Sequence, residues 1–155
     1  MKTSPVSIVL VAALVAGAAV VLWPFAWIAL YYGCQADEDR LAAALAAHPI
    51  LTAHPVAAEP RGRPHAECEN DDAIPYADQT YRFRGAWGEV ASFYREAAAK
   101  GRWRPYGGGD GSAGLCFTRT TGGLELGLFV SRPPEGDAGE YTVTVSAATG
   151  WLCGS

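Results

Sequence analysis

An uncharged run from Val6 to Tyr32 is the feature that most constrains what this chain can form. A helix of that length would measure about 40 Å at ~1.5 Å per residue, and the hydrocarbon core of a bilayer is about 30 Å thick. The run therefore predicts a transmembrane anchor over residues 6–32, which would separate residues 1–5 from a domain of residues 33–155. Its second part carries aromatic residues of the kind that favour a membrane interface, namely Trp23, Trp27, Tyr31 and Tyr32.

The charges that flank this run predict its orientation. Lys2 precedes the run, while Asp37, Glu38 and Asp39 follow it. Because positive charges are retained on the cytoplasmic side, the N-terminus is expected in the cytoplasm and the C-terminal domain outside the cell. The chain is thus predicted to be a single-pass protein of the cell membrane, with the lipid bilayer as a partner of residues 6–32.

Three other interpretations of the run remain open. Cleavage of a signal peptide near Ala16–Ala19 would leave a strongly apolar new N-terminus. A lipidated Cys34 is disfavoured by the bulky Tyr31 and Tyr32, since lipoprotein processing prefers small or aliphatic residues before the cysteine. A buried hairpin of a soluble fold would need polar residues at its turn. An uncleaved anchor is the interpretation that the sequence favours.

Four cysteines follow the run, and none forms a Cys-x-x-Cys pair. That spacing excludes a zinc ribbon or a thioredoxin-type motif. An even number of cysteines in an exported domain predicts two disulfides, for which three connectivities are possible. The preferred pairing joins Cys68 to Cys116 within the sheet and Cys34 to Cys153 across the two ends of the domain. The alternative is one disulfide and two free thiols.

The periodicity after the run predicts alternating helices and strands. Helices are expected in "ADEDRLAAALAAHP", capped by Asp37, and in "GAWGEVASFYREAAAKG", where Trp87, Val90, Tyr94 and Ala97 share a face. Strands are expected at 50–56, 76–83, 115–120, 124–131 and 141–148, with another beginning in "RWRPY" and a flexible loop at 107–114. This order predicts an α+β fold, a two-layer sandwich whose antiparallel sheet carries two helices on one face, for which a ferredoxin-like arrangement is the natural topology.

Neither composition nor motifs identify a chemistry. The net charge is −4 at pH 7, and the arginines are interspersed with acids, so nucleic-acid binding is not expected. The Gly-rich "GGGDGSAG" lacks the Gly-Lys-Ser/Thr ending of a phosphate loop, and its Asp110 stands where a nucleophile elbow needs glycine. No catalytic residue and no cofactor are therefore predicted.

Two polar groups are weak candidates for a site. His54 and His65, with His48 and Cys68 nearby, could contribute to a metal site, although Cys68 is better used in a disulfide. The acids between Glu67 and Asp72 are expected to form a solvated loop, and an enzyme could use carboxylates among them.

Three stretches, "EVASFYREAAAKGRW", "LCFTR" and "YTVTV", carry a resemblance. The chain resembles small single-pass exported proteins of unknown function from high-GC Gram-positive bacteria over roughly residues 66–150. In that group a helix with a Val-x-x-x-Tyr pattern leads into a Gly-Trp turn, whereas here Arg102 separates Gly101 from Trp103. The resemblance implies an exported α+β domain and no activity.

These observations favour a non-enzymatic, membrane-anchored module outside the cytoplasm that binds an envelope protein or a small ligand. An envelope-acting enzyme using carboxylates near Glu67–Asp72 is the alternative from another class, and a purely structural stem is a third.

Overall fold

The computed structural model describes residues 23, 33–111, 114–132 and 139–153, with the backbone alone at residues 108–111. The chain divides into two compact units, Met1–Gly33 and Cys34–Ser155, and the fold described below is that of the second. The predicted anchor and its interface residues Trp27, Tyr31 and Tyr32 lie outside the described residues, while Trp23 is helical and exposed. Among the helices that are described, none is long and apolar enough to cross a membrane.

Four helices are described in the second unit. They are α1 (Ala36–Ala46), α2 (Pro49–Thr52), α3 (Trp87–Lys100) and α4 (Thr149–Cys153). Helix α1 begins two residues earlier than a cap at Asp37 would give, because the Gln35 backbone N–H donates to the Glu38 carboxylate at 3.0 Å. Gln35 is therefore the N-cap residue, and the predicted cap Asp37 instead forms an ion pair with Arg40 at 2.6 Å.

A helical turn occupies part of the segment predicted as a strand at 50–56, so that prediction is wrong. Pro49 stands at the first position of α2, where its missing N–H costs nothing, and the His48 ring Nδ1 accepts a hydrogen bond from the Ile50 backbone N–H at 3.2 Å. A side-chain cap and an N-terminal proline together favour a helix start over an extended segment.

The seven strands found among the described residues form one sheet. Their bounds are β1 (Ala58–Pro60), β2 (His65–Glu69), β3 (Ile74–Phe83), β4 (Arg104–Gly111), β5 (Gly114–Thr121), β6 (Leu124–Ser131) and β7 (Glu140–Ser146). The order is β1-β3-β7-β6-β5-β4, β2 lies beside β3, and all pairs are antiparallel. The predicted α+β class with an antiparallel sheet is confirmed.

The ferredoxin-like arrangement is not confirmed. That topology alternates as β-α-β-β-α-β, whereas here β4 to β7 are successive neighbours in the sheet and none of the described helices lies between them in the chain. The predicted flexible loop at 107–114 is also wrong in part, because β4 continues to Gly111 and pairs Asp110 with Leu115 of β5. Pairing with β5 satisfies the backbone groups of this glycine-rich segment.

The core joins buried side chains of the sheet with buried side chains of α1, α2 and α3. The predicted two-layer arrangement with two helices on one face is not confirmed. Strand β3 alternates as predicted, with Ala77, Gln79, Tyr81 and Phe83 buried and the intervening residues partly or fully exposed. Two tyrosine hydroxyls hold α2 and the residue after it, since Tyr81 donates to the Leu51 carbonyl at 2.5 Å and Tyr94 to the Ala53 carbonyl at 2.6 Å.

Two disulfides are present, Cys34–Cys68 and Cys116–Cys153, each with Cα atoms 6.0 Å apart, so the predicted pairing is wrong. Cys68 lies on β2 and Cys116 on β5, with β3, β7 and β6 between them. At ~4.8 Å per strand spacing their Cα atoms would be about 19 Å apart, well beyond the ~7 Å reach of a disulfide. Two disulfides are typical of proteins that mature in an oxidising compartment outside the cytosol.

Candidate functional site

The sheet face opposite the core carries part-exposed, mostly polar side chains and is here termed the open face. Its members are Tyr76, Asp78, Thr80, Phe129, Ser131, Thr142 and Thr144, on β3, β6 and β7. Antiparallel register places Asp78 opposite Thr144 and Thr144 opposite Phe129 in one row. Across the next row the Thr80 and Thr142 hydroxyls are 3.0 Å apart. The alternation that buries one side of each strand produces this second, hydroxyl-rich side.

Helix α4 packs on the open face above β5 and β6, at one end of that face. Cys116–Cys153 attaches the last residue of α4 to β5, and the hydroxyls of Thr118 and Thr149 are 3.1 Å apart at its start. Both ends of this short helix are therefore held to the same strand. The attachment fixes the position of Trp151 between them.

Trp151 and Tyr76 form an aromatic pair at this end of the open face. Their ring centroids are 5.2 Å apart with planes inclined by 38°, and the Trp151 side chain remains 39% exposed. Aromatic pairs at this separation stabilise by about 0.5–1.5 kcal/mol beyond the burial of their area. A tryptophan that is held on both sides and still exposed offers part of its ring to a ligand.

Carboxylates surround the Tyr76 hydroxyl, which donates to Glu67 Oε2 at 2.8 Å. This hydrogen bond is the main cause that raises the pKa of Tyr76 to about 12. Burial and the negative charges of Glu67, Asp78 and Glu69 raise that pKa further. Three carboxyl groups, those of Glu67, Asp78 and Glu69, therefore lie near the Tyr76 hydroxyl.

Asp78 lies next to Tyr76 along the open face and opposite His65 of β2. Burial raises the pKa of the Asp78 carboxyl, the neighbouring charge of Glu67 raises it too, and His65 opposes the shift. Within the described part of the chain this carboxylate has no ion-pair partner within 4.0 Å. Asp78 is thus a half-buried acid without a compensating lysine or arginine.

The two histidines named as weak metal candidates are not brought together. His54 packs against Tyr81 of the core side, with ring centroids 5.0 Å apart, and its Nδ1 lies 2.9 Å from the Pro55 carbonyl oxygen. His65 lies on the opposite side of the sheet, with Nδ1 3.9 Å from Glu67. Among the residues that are described, no group of three or more His, Cys, Asp or Glu side chains is placed to hold a metal ion.

The acidic segment Glu67–Asp72 is divided between a strand and a turn. Glu67 lies on β2 beside Tyr76, whereas the exposed Asp71 and Asp72 lie in the turn that leads to β3. The Asn70 side chain accepts a hydrogen bond from the Cys34 backbone N–H at 3.5 Å, close to the first disulfide. Of these acids, the structure places Glu67 closest to the aromatic pair.

Sequence reasoning missed Trp151 and its pairing with Tyr76. The alternation in "YADQTYRF" indicated that Tyr76 and Asp78 share one face, but no signal related them to the last residues of the chain. The position of Trp151, two residues before Cys153, becomes informative only once the Cys116–Cys153 pairing is known.

Comparison of the chain with protein-family models, with curated proteins and with solved structures gives no match.

Proposed function

We propose that this chain is a membrane-anchored, non-enzymatic binding module of the cell envelope that engages a partner through its open face. The observation that carries the proposal is the exposed, doubly held Trp151 beside a polar sheet face. Exposed aromatic residues that are rigidly placed among polar groups are typical of binding surfaces, since they contribute contact area at little entropic cost.

The uncharged run at residues 6–32 supports the anchor, and the two disulfides support a domain on the oxidising side of the membrane. Together with Lys2 ahead of the run, these features favour a cytoplasmic N-terminus and an extracellular domain. An anchored domain with a polar sheet face suits recruitment of another envelope component.

Photo-crosslinking at the centre of the open face tests this proposal. A photoreactive amino acid replaces Thr144, and the matched control carries it at Ala99, an exposed position on α3. In cells of the source organism, Thr144 is expected to yield a discrete adduct that Ala99 does not. The absence of any adduct from Thr144, or the same adducts from both positions, would contradict the proposal.

The alternative of an envelope-acting enzyme finds less support. Its carboxylates would come from Glu67–Asp72, but Asp71 and Asp72 lie in an exposed turn while Glu67 is hydrogen-bonded to Tyr76. A hydrolytic activity on envelope material that is abolished by the combined Glu69→Ala, Asp71→Ala and Asp72→Ala substitutions, with thermal unfolding unchanged, would favour the enzyme instead.

A further inference from the structure

We propose that Tyr76, Trp151, Glu67 and Asp78 form a site for a lysine or arginine side chain of a polypeptide partner. This inference rests on the proposed binding function and assigns a chemistry to one end of the open face. Its basis is the combination of an aromatic pair that includes the exposed Trp151 with carboxylates that form no ion pair with a lysine or arginine in the described part of the chain.

The aromatic pair determines the kind of ligand. The faces of indole and phenol rings attract cations, and guanidinium groups also stack on them. Trp151 is the more exposed ring. The Cys116–Cys153 disulfide and the Thr118–Thr149 hydrogen bond fix its position before any ligand binds. A ring that is already ordered loses little entropy when a side chain lies on it.

The charges near the pair agree with a cationic ligand. Glu67 hydrogen-bonds to the Tyr76 hydroxyl, and Asp78 projects from the same side of β3. Among the described residues, the basic group within 4.0 Å of these carboxylates is His65, 3.9 Å from Glu67, whereas Arg61 is paired with Glu140 at 3.2 Å near the other end of the face. A partner cation would supply the compensation that Asp78 lacks.

The sheet edge favours a polypeptide over a small free cation. Strand β2 pairs only with β3 among the described strands, so it lies at the edge of the sheet beside this site. An extended segment that runs along an edge presents alternate side chains to one face. A long lysine or arginine side chain could then lie across Tyr76 and Trp151, whereas a small cation on a flat surface gains few contacts.

A titration of the full-length protein in detergent micelles tests the inference. Tryptophan is replaced throughout by 5-fluorotryptophan, and the Trp151 fluorine signal is assigned by its loss in the Trp151→Phe variant. The probe is the peptide acetyl-Ala-Arg-Ala-amide. Its neutral analogue with citrulline in place of arginine is the ligand control. The arginine peptide is expected to shift the Trp151 signal in a saturable way, with Trp87 and Trp103 unmoved because they are on the core side.

Charge removal provides the second comparison. The combined Glu67→Gln and Asp78→Asn substitutions are expected to lower the affinity for the arginine peptide about fivefold. This is the size expected when exposed cation–carboxylate contacts are lost and the cation–π contact remains. Glu96→Gln on exposed α3 is the control for net charge and should leave binding unchanged. Unmoved Trp87 and Trp103 signals in each variant report that the fold is intact.

Three results would overturn the inference. The citrulline peptide could shift Trp151 as strongly as the arginine peptide, the doubly substituted protein could bind as tightly as the wild type, or tetramethylammonium could bind as tightly as the peptide. If one of these occurs while Thr144 still yields its specific crosslink, the assignment of a cationic side chain fails and the proposed binding function stands.

Discussion

Gly127 lies where α4 comes closest to the sheet. A Cβ atom added at this residue would lie 2.9 Å from the Cα of Thr149, a distance that real Cβ contacts do not show. Glycine is therefore needed here for close approach of two backbones, not for an unusual dihedral angle. The absence of a side chain at Gly127 allows α4, and with it Trp151, to rest on the open face.

Substitution of this glycine should displace the helix. Gly127→Ala is expected to lower the free energy of unfolding by about 1–3 kcal/mol, because backbone atoms cannot move aside as a flexible side chain would. Chemical denaturation measures the change, and the Trp151 fluorine signal reports the displaced helix. Gly150→Ala is the matched control, since a Cβ there meets nothing within 4 Å, and equal losses for both variants would contradict the account.

His48 makes the N-terminal cap of α2 sensitive to pH. Its Nδ1 accepts a hydrogen bond from the Ile50 backbone N–H only when that ring nitrogen is unprotonated. The His48 and Trp103 rings form an edge-to-face pair with centroids 5.6 Å apart. Burial first, and then the charge of Arg119, lower the pKa of His48 below its ordinary value of 6.5. The neutral imidazole is thus the form that the fold favours.

Because the pKa of His48 is lower in the folded chain, the unfolded chain binds a proton at higher pH. The free energy of unfolding should therefore fall as the pH drops below about 6.5, and this contribution stops changing once the pH is below the folded pKa. Denaturation series between about pH 8 and pH 5 measure it. His48→Asn keeps a capping acceptor without the titration, so its pH dependence should be smaller, and an unchanged dependence would exclude His48 as the cause.

At the level of elements, the sequence predicts best where one periodicity is uninterrupted. Helix α3 and strands β3 and β6 were predicted closely because their apolar residues recur with a single spacing along the whole element. The α2 segment failed because its apolar residues also fit a strand, and the deciding contacts, Tyr81 to Leu51 and Tyr94 to Ala53, come from distant parts of the chain.

Strand β4 and the disulfides failed for a similar reason. Glycine-rich residues 107–111 have little strand propensity of their own and are extended because β5 pairs with them. The cysteine pairing depends on sheet order, which places Cys116 beside α4 and Cys68 beside Cys34 at the start of the second unit. Only part of the candidate site could be predicted. The alternation along β3 places Tyr76 and Asp78 on one face, but no sequence pattern places Trp151 beside them.

Removal of the second disulfide should loosen one element more than the rest. Closing a loop with a sequence separation of 37 residues stabilises by about 4 kcal/mol in the chain-entropy model, so Cys116→Ala with Cys153→Ala should lower the free energy of unfolding by up to about that amount. The Trp151 fluorine signal should sharpen and move toward that of a solvated indole. The matched control, Cys34→Ala with Cys68→Ala, should leave the Trp151 signal in place, and the opposite pattern would contradict this role for α4.

On the scale of the whole molecule, the proposed orientation can be tested because no cysteine is free. A single added thiol is then the only target for a membrane-impermeant maleimide on intact cells. Ala99→Cys, on exposed α3, should be labelled, whereas Ser4→Cys should be labelled only after lysis. Labelling of Ser4→Cys on intact cells, or failure to label Ala99→Cys, would reverse or refute the proposed topology.

The two disulfides close loops that follow one another along the chain, 34 to 68 and then 116 to 153, without overlap. A chain that crosses the membrane from its N-terminal side exposes Cys34 and Cys68 to the oxidant before either of the other thiols arrives. Simple pairing in order of arrival therefore yields the native bonds. Under the proposed export, the domain would be oxidised without the thiol exchange that a nested or interleaved pattern requires.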